Sequence, residues 1–313
     1  MNAPGFTAIG VDVGGTKIAA GVVEFPGAVI RSRRILPTRR HLGDEQVLAD
    51  VERAVAELAA ETDAAGGHVN GLGLGVCEIV NRAGELASSN CLAWTSANVR
   101  ARLSKIAPTV LEADVRAAAL AEALFGAGRA ARVFLYVSIG TGIASCLVID
   151  GQPFLGARGA TGTMASGPLP GFAESQTAAP QPSLEDVASG PALVARFNRL
   201  QGQAQSGQEV LAAAAADPRA AEVVRSGAEA LGGSIGWLIN VLDPELVILG
   251  GGLGLSDGIY RHHLVTAARR HIWWDGHRDL PILTAQTGPD AGLIGAAATC
   301  WQRSEDGPAG KNR

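Results

Sequence analysis

Cysteine is sparse and scattered: Cys77, Cys91, Cys146 and Cys300 are the 4 thiols among 313 residues, and no two form a C-x-x-C pair. That spacing argues against a disulfide-stapled secreted scaffold and against a compact zinc knuckle. Lysine is scarcer still, confined to Lys17, Lys105 and Lys311, and the formal net charge is −4. An extended basic surface for phosphate backbones is therefore not expected, and no nucleic-acid partner is assigned. No uninterrupted apolar run reaches the length of about 18 residues that would indicate a membrane span. Met1–Phe6 lacks the basic segment and long apolar stretch of a secretory leader. The expectation is a soluble protein in a reducing, cytoplasmic setting with no membrane partner.

Apolar residues make up 47% of the chain and glycine contributes 41 residues. At roughly 150 residues per domain, the length accommodates two domains that each bury a core. The first strand is predicted over Thr7–Val11, leading into Asp12-Val13-Gly14-Gly15-Thr16-Lys17, with a second strand over Ile18–Val23. The glycines thus sit in a hairpin between strands. A Rossmann or Walker loop would place them between a strand and a helix, with G-x-G-x-x-G or G-x-x-x-x-G-K-[ST], and neither pattern is present.

Periodicity predicts a helix from Asp44 to about Ala60, a buried strand over Gly71–Val76, a brief strand over Val110–Glu112 and an alanine-rich helix over Val115–Phe125. A second strand–turn–strand follows: Val133–Val137, then Ser138-Ile139-Gly140-Thr141-Gly142, then Ile143–Ile149. The two glycine turns share their context, which points to a duplicated α/β unit. Gly167–Pro182 reads as a loop, Ser183–Leu200 as helical, and about Ala220 to Leu242 as a long helix closed by Asp243-Pro244. Leu246–Leu249 is a strand ending in Gly250-Gly251-Gly252, Asp290–Cys300 is a last helix, and Gly307–Arg313 reads as a frayed tail.

Glycine lets backbone approach phosphate oxygens closely and offer several N–H donors to one anion. Gly14-Gly15-Thr16, Gly140-Thr141-Gly142 and Gly250-Gly251-Gly252 supply three such places, with hydroxyls on Thr16 and Thr141. Asp12, at a strand end, suits hydrated Mg²⁺ or, equally, an Asx-turn that closes the hairpin. Asp114, at a strand-to-helix junction, suits an N-cap or a general base that accepts the proton of an attacking alcohol.

These residues resemble the ROK family of sugar kinases, within the hexokinase–actin–Hsp70 superfamily. Asp12-Val13-Gly14-Gly15-Thr16-Lys17 is similar to its first phosphate loop, and Gly140-Thr141-Gly142 to its second. Ser89-Asn90-Cys91-Leu92-Ala93-Trp94 resembles the sugar-side Asn-Leu-x-x-Trp segment. Glu112-Ala113-Asp114-Val115-Arg116-Ala117-Ala118-Ala119 resembles Glu-Asn-Asp-Ala-Asn-Ala-Ala-Ala, whose Asp is the base. Gly156-Ala157-Arg158-Gly159-Ala160-Thr161-Gly162 is similar to Gly-Ala-x-Gly-x-x-Gly, and Leu184–Gly190 to the end of the zinc-module signature. Asp243-Pro244, Gly250–Gly252 and Ala291–Ala297 complete a match that covers nearly the whole chain.

The resemblance implies an α/β, two-lobed actin-like ATPase (ribonuclease H-like) fold with an interlobe active-site cleft. The lobes are expected over 1–114, joined by a C-terminal helix over 290–303, and over 115–289, with a disordered tail over 304–313. It implies ATP and Mg²⁺, with Asp12 holding the ion through water and Asp114 as base. Lys17, Gly14, Gly15 and Thr16 would sit on the nucleotide side with the other two glycine turns. A homodimer is implied by resemblance alone.

Departures from the family pattern sharpen the expectation. Ala113 stands where the family has Asn, and Thr163 and Ser166 stand where it has Glu and His. The Cys-rich zinc loop is missing, so no structural zinc is expected. Glu78 replaces a usual glycine and is a candidate partner for a substrate amino group, the alternative being a solvent-facing loop residue. Asn90 and Glu185 are carried as further substrate residues, and Arg116, Trp273 and Trp274 as possible pocket lining. A pocket stripped of its hydroxyl partners suits a different acceptor. The expected function is therefore an ATP-dependent kinase for the primary hydroxyl of an atypical hexose-like small molecule, such as the amino sugar kanosamine or a C7-cyclitol. The competing readings are an ordinary glucose or N-acetylhexosamine kinase, and a non-catalytic sugar-binding relative. A repressor would carry a winged helix ahead of Thr7 and is not expected.

Overall fold

The computed structural model describes residues 5–168 and 182–304. Most of the loop expected over Gly167–Pro182, and nearly all of the expected tail over 304–313, lie outside these residues. The chain divides into two compact units: Met1–Ala130 with Gly151–Thr161 and Pro289–Arg313, and Ala131–Asp150 with Gly162–Gly288.

The first unit contains strands β1 (Phe6–Val13), β2 (Lys17–Phe25), β3 (Val29–Pro37), β4 (Gly71–Val76) and β5 (Thr109–Ala113), in the sheet order β3-β2-β1-β4-β5. β1 to β3 are antiparallel neighbours, whereas β4 and β5 run parallel to β1. Helices α1 (Asp44–Ala64) and α2 (Ser96–Leu103) contribute to one core with Ile9, Val11, Leu72 and Leu74. Helices α3 (Asp114–Phe125) and α10 (Ala291–Arg303) pack on the sheet's other side.

The strand Gly71-Leu72-Gly73-Leu74-Gly75-Val76 shows why that second face works. Successive side chains of a strand alternate between faces. The leucines enter the α1 core, and the glycines leave the opposite face bare for helix backbone. A Cβ on Gly73 would lie 1.7 Å from the Ala296 carbonyl oxygen, and one on Gly10 of β1 would lie 2.0 Å from that of Leu293. Gly295 of α10 meets Ala117 of α3 in the same way, at 1.7 Å. α10 therefore seats on β1, β4 and α3 through backbone contact. This packing keeps α3 with the first unit, which corrects the expected boundary at residue 114 to one after Ala130.

β3 was not anticipated, because its run Val-Ile-Arg-Ser-Arg-Arg-Ile-Leu-Pro buries no residue. It is an edge strand, where charged side chains discourage pairing with other chains. Arg31 pairs with Glu24 at 2.7 Å and Arg33 with Asp290 at 2.6 Å.

The second unit repeats the strand logic of the first. β6 (Val133–Ile139) and β7 (Ile143–Ile149) form an antiparallel hairpin; β9 (Leu246–Gly250) runs parallel to β6, and β10 (Ile282–Thr284) parallel to β9. The order is β10-β9-β6-β7, with the two-residue β8 (Gln152–Pro153) at the edge. This recurrence of a glycine-turn hairpin followed by parallel strands agrees with the duplicated unit expected from the sequence.

The expected Ser183–Leu200 helix is two, α4 (Glu185–Ala188) and α5 (Gly190–Arg199). Ser189 adopts extended backbone between them, and its hydroxyl caps α5 by accepting from the Ala192 N–H. α6 (Gly207–Ala213), α8 (Gly251–Gly254) and α9 (Ile259–His271) were not anticipated. α7 (Pro218–Leu242) begins at the Asp217 cap with proline in its first turn and ends at Asp243, whose φ of 50° is left-handed. Among the described residues, no helix is long and apolar enough to cross a membrane.

Replacing Gly73 with alanine forces a methyl group into the α10 backbone, which has no flexible end to yield. Gly73→Ala is expected to lower the unfolding free energy by about 3 kcal/mol or more, read by urea denaturation; an unchanged midpoint would show that α10 shifts freely.

Candidate active site

Two strand ends in the first unit carry carboxylates. Asp12 precedes the last residue of β1 and pairs with Ala19 of β2 and Gly75 of β4. Its carboxyl lies against Gly292 of α10, where a Cβ would come within 2.4 Å of a carboxylate oxygen. Asp114 is the first residue of α3, directly after β5, and its carboxylate accepts the Val115 N–H at 2.6 Å. The N-cap is Ala113, which corrects the alternative that Asp114 itself caps the helix. A Cβ on Gly75 would be 3.6 Å from the Asp114 Cα, an ordinary contact distance, so the junction packs beside β4.

Both carboxyls hold protons more tightly than ordinary aspartates. Desolvation raises Asp12 to about 6, partly offset by the charge of Lys17. Desolvation, reinforced by the charge of Asp12, raises Asp114 to about 7. Burial and like charge both disfavour the second ionised form. Two carboxyls poised near neutrality at strand ends on either side of β4 are suited to proton transfer and cation binding.

The first glycine turn is closed by Gly14 N–H donating to the Lys17 carbonyl at 3.0 Å. Thr38 braces it: the hydroxyl donates to the Gly14 carbonyl at 2.7 Å, and the backbone N–H to the Thr16 carbonyl at 2.9 Å. Thr38 follows the edge strand β3, and without that strand sequence reasoning had no way to find it. Thr16 and Lys17 are exposed at the turn.

Glu78 has a different place from the one expected. It is only 6% exposed, and its carboxylate accepts from the Ser88 hydroxyl, Asn90 N–H (2.9 Å), Cys91 N–H and Leu92 N–H (2.8 Å). A carboxylate holding four donors is not turned toward a substrate amine. It fixes the 88–92 loop to the end of β4, which overturns both the amine-partner and the solvent-facing readings. The loop's far side is held by Trp94, whose Nε1 donates to the Asp44 carbonyl at 2.9 Å. Asn90 itself is exposed.

Arg116 also points inward. It is 2% exposed; its guanidinium contacts Glu112 and donates to the carbonyls of Gly159 (2.7 Å) and Val80 (2.6 Å). It ties α3 to two loop segments and does not line an opening. Gly159 has a φ of 79°, and a Cβ there would sit 2.2 Å from the Val80 carbonyl oxygen. Another contact not legible in the sequence is between Cys77 and Cys91, whose proximity helps push the Cys77 thiol up.

In the second unit, the glycine turns converge. Gly140 N–H donates to the Gly142 carbonyl at 2.9 Å, and the Gly140 carbonyl accepts from Gly190 N–H at 2.9 Å. A Cβ on Gly140 would be 3.8 Å from the Gly252 nitrogen. Gly250 and Gly251 are required by close packing on Tyr136 and the Ile139 backbone, whereas Gly252 faces open space. Glu185 braces the Gly140–Gly142 turn by accepting the Ile143 N–H at 2.8 Å. Thr163 and Ser166 are exposed on one turn, where Ser166 N–H donates to the Thr163 carbonyl at 3.2 Å. Trp273 and Trp274 are 85% and 57% exposed after α9. Among the described residues, no group of three or more His, Cys, Asp or Glu is arranged to hold a metal ion.

This architecture is the actin-like ATPase class of α/β fold, as shown by its match to solved sugar kinases. The structure of a ROK family glucokinase from Streptomyces griseus, in complex with glucose and AMPPNP, is 27% identical and superposes with a TM-score of 0.79 over 94% of this chain and 98% of that one. Residues 8–303 match the ROK family, and the chain belongs to it. The bifunctional enzyme NanE/NanK of Brucella melitensis is 30% identical over 94% of this chain and 54% of its own length. The chain thus spans about half the length of that relative. A glucokinase of Streptomyces coelicolor is 27% identical over 92% of this chain and 96% of its own length.

Glu78→Gln keeps one acceptor oxygen but turns an amide NH₂ toward N–H donors. It is expected to cost about 1–3 kcal/mol of stability and to raise KM for aminated and neutral acceptors by the same factor. A rise confined to an aminated acceptor would return Glu78 to the substrate.

Proposed function

We propose that the protein transfers the γ-phosphoryl group of ATP to the primary, C6-type hydroxyl of a hexose-like acceptor. The observation that carries this reading is Asp114, a carboxyl at the β5–α3 junction raised to about 7. A general base works best when its pKa lies near the working pH. Asp114 accepts the acceptor's hydroxyl proton as the oxygen–phosphorus bond forms and the bond to ADP breaks.

On the nucleotide side we assign Gly14, Gly15, Thr16 and Lys17 in the first unit, and Gly140, Thr141, Gly142, Gly250, Gly251 and Gly252 in the second. Of the Gly250–Gly252 run, Gly252 is the position where a ligand can approach the backbone without displacing protein atoms. Asp12 fits Mg²⁺: it is a hard oxygen donor whose charged form is desolvated, so a cation relieves the cost of ionising it. When bound, the ion would neutralise charge on the phosphates. Asn90, Thr163, Ser166 and Glu185 are assigned to the acceptor.

The names of the relatives support a sugar acceptor. An amino sugar or a C7-cyclitol now rests on the replaced residues Ala113, Thr163 and Ser166, because Glu78 is engaged with backbone and Ser88. We therefore place a neutral, hydroxyl-rich ring ahead of an amine as the acceptor class. A homodimer is part of the proposal, with sedimentation as its test. A coupled ADP-release screen over glucose, N-acetylmannosamine, N-acetylglucosamine, kanosamine, glucosamine and valienol-type cyclitols decides among acceptors. Absence of turnover with all of them, together with no ATP-induced rise in Tm, would leave only a non-catalytic binding role.

The raised pKa has a sign for stability as well as rate. The unfolded chain releases the Asp114 proton near the ordinary aspartate value of 3.8, while the folded chain holds it until about 7. Folding stability is therefore lost as pH rises between those values and is flat above them. Asp114→Asn is expected to cut kcat by about 10²–10⁴-fold. Without ligand at pH 8, it is expected to raise the unfolding free energy by a few kcal/mol, a gain that vanishes toward pH 4. In the native enzyme kcat should fall as pH drops through about 7, where Asp114 becomes protonated. An acid limb that persists unchanged in Asp114→Asn would assign the base elsewhere.

A further inference from the structure

Cys77 and Cys91 are separated in the chain, yet the Glu78 carboxylate brings them to one place beside Asp114. Cys77 directly follows β4, and Asp114 directly follows β5; the preceding residues, Val76 and Ala113, are register partners. The neighbour of Cys77, Glu78, accepts the backbone N–H of Cys91 and those on either side of it, Asn90 and Leu92. The Cys91 thiol and the Asp114 charge both lie close enough to act on the Cys77 thiol. Both cysteines are partly exposed, whereas Cys146 and Cys300 are buried.

From this juxtaposition we infer that Cys77 and Cys91 form a redox-active dithiol, closed to a disulfide by low-molecular-weight disulfides, that locks the 88–92 loop beside Asp114. The order of attack follows from how the two thiols differ. Contact with Cys91, then burial, raise the Cys77 thiol, so Cys77 keeps its proton and Cys91 attacks first. The Cys91 thiolate attacks one sulfur of the reagent RS–SR, breaking its S–S bond and releasing RS⁻. Capping removes the Cys91 contribution that holds the proton on Cys77. The Cys77 thiolate then attacks the Cys91 sulfur, forming the protein S–S bond and releasing a second RS⁻. Two protein thiol protons end on two RSH molecules; the protein loses two electrons and the reagent gains them.

Closure would add a covalent link where the 88–92 loop meets the end of β4. A loop held at a fixed offset cannot adjust to an acceptor, and small misplacements of a reacting group are costly. The chemistry of closure is independent of the kinase reading; its consequence for turnover rests on that reading.

The test treats the native protein with glutathione disulfide at mild alkaline pH, followed by non-reducing peptide mass spectrometry and turnover assays. The expected result is loss of two hydrogens, a peptide linking Cys77 to Cys91, free thiols at Cys146 and Cys300, and about a hundredfold loss of turnover that dithiothreitol reverses. In Cys77→Ser, the reagent should stop at a mixed disulfide on Cys91. Retention of all four thiols in the native protein, or a mixed disulfide on Cys91 that Cys77 never resolves, would overturn closure. A closed disulfide with undiminished turnover would overturn the lock. If no acceptor is ever phosphorylated, the mass readout still decides closure, and only the kinase reading fails.

Discussion

The first unit depends on backbone meeting backbone where glycine omits a side chain. Gly10 and Gly73 on the sheet and Gly295 on α10 let a helix lie directly on β1, β4 and α3. The same bareness continues to the end of β1, where Gly292 accommodates the Asp12 carboxyl. The contact that builds the core therefore also buries two acidic groups at strand ends on either side of β4. Their raised proton affinities are a consequence of that packing. Any change that lifts α10 away would admit water and return both carboxyls toward ordinary behaviour.

Much of this was legible in the sequence because local pattern and burial agree. The strands Gly71–Val76 and Ile143–Ile149 begin and end where the apolar runs do, and the glycine hairpins fall between strands as read. The repeated unit was visible as two matching turns. What escaped had a physical reason in each case. β3 carries alternating arginines and buries nothing, so no hydrophobic period marks it. The break at Ser189 is a cap in the middle of a helical run, and only its extended backbone reveals it. The domain boundary was misplaced because the packing of α3 is decided by α10, a segment near the other end of the chain.

The site residues divide along the same line. Asp12, Asp114 and the glycine turns stand at element ends, where sequence alone shows that a polar group meets the end of a strand. Thr38 and the Cys77–Cys91 pair are brought in by tertiary contact and leave no local mark. Glycine itself needs separating by cause: Gly250 and Gly251 are fixed by Tyr136 and Ile139, whereas nothing in the protein presses on Gly252. A run of three glycines looked uniform in the sequence, but only at Gly252 would a Cβ meet open space.

Glu78 and Arg116 show the limit of inferring a substrate from a changed charge. Each stands where the family pattern has a smaller or neutral residue, and each invites an ionic partner in the substrate. The structure gives both to the protein's own main chain. Glu78 collects three successive backbone N–H groups and a hydroxyl, and Arg116 takes two loop carbonyls together with Glu112. A buried ion is tolerable only when hydrogen bonds replace its water, and loop backbone has polar groups in need of partners. Two charges set beside irregular loops therefore satisfy each loop and themselves at once. The remaining departures from the family pattern differ in the same respect: Ala113 is buried, whereas Thr163 and Ser166 are exposed.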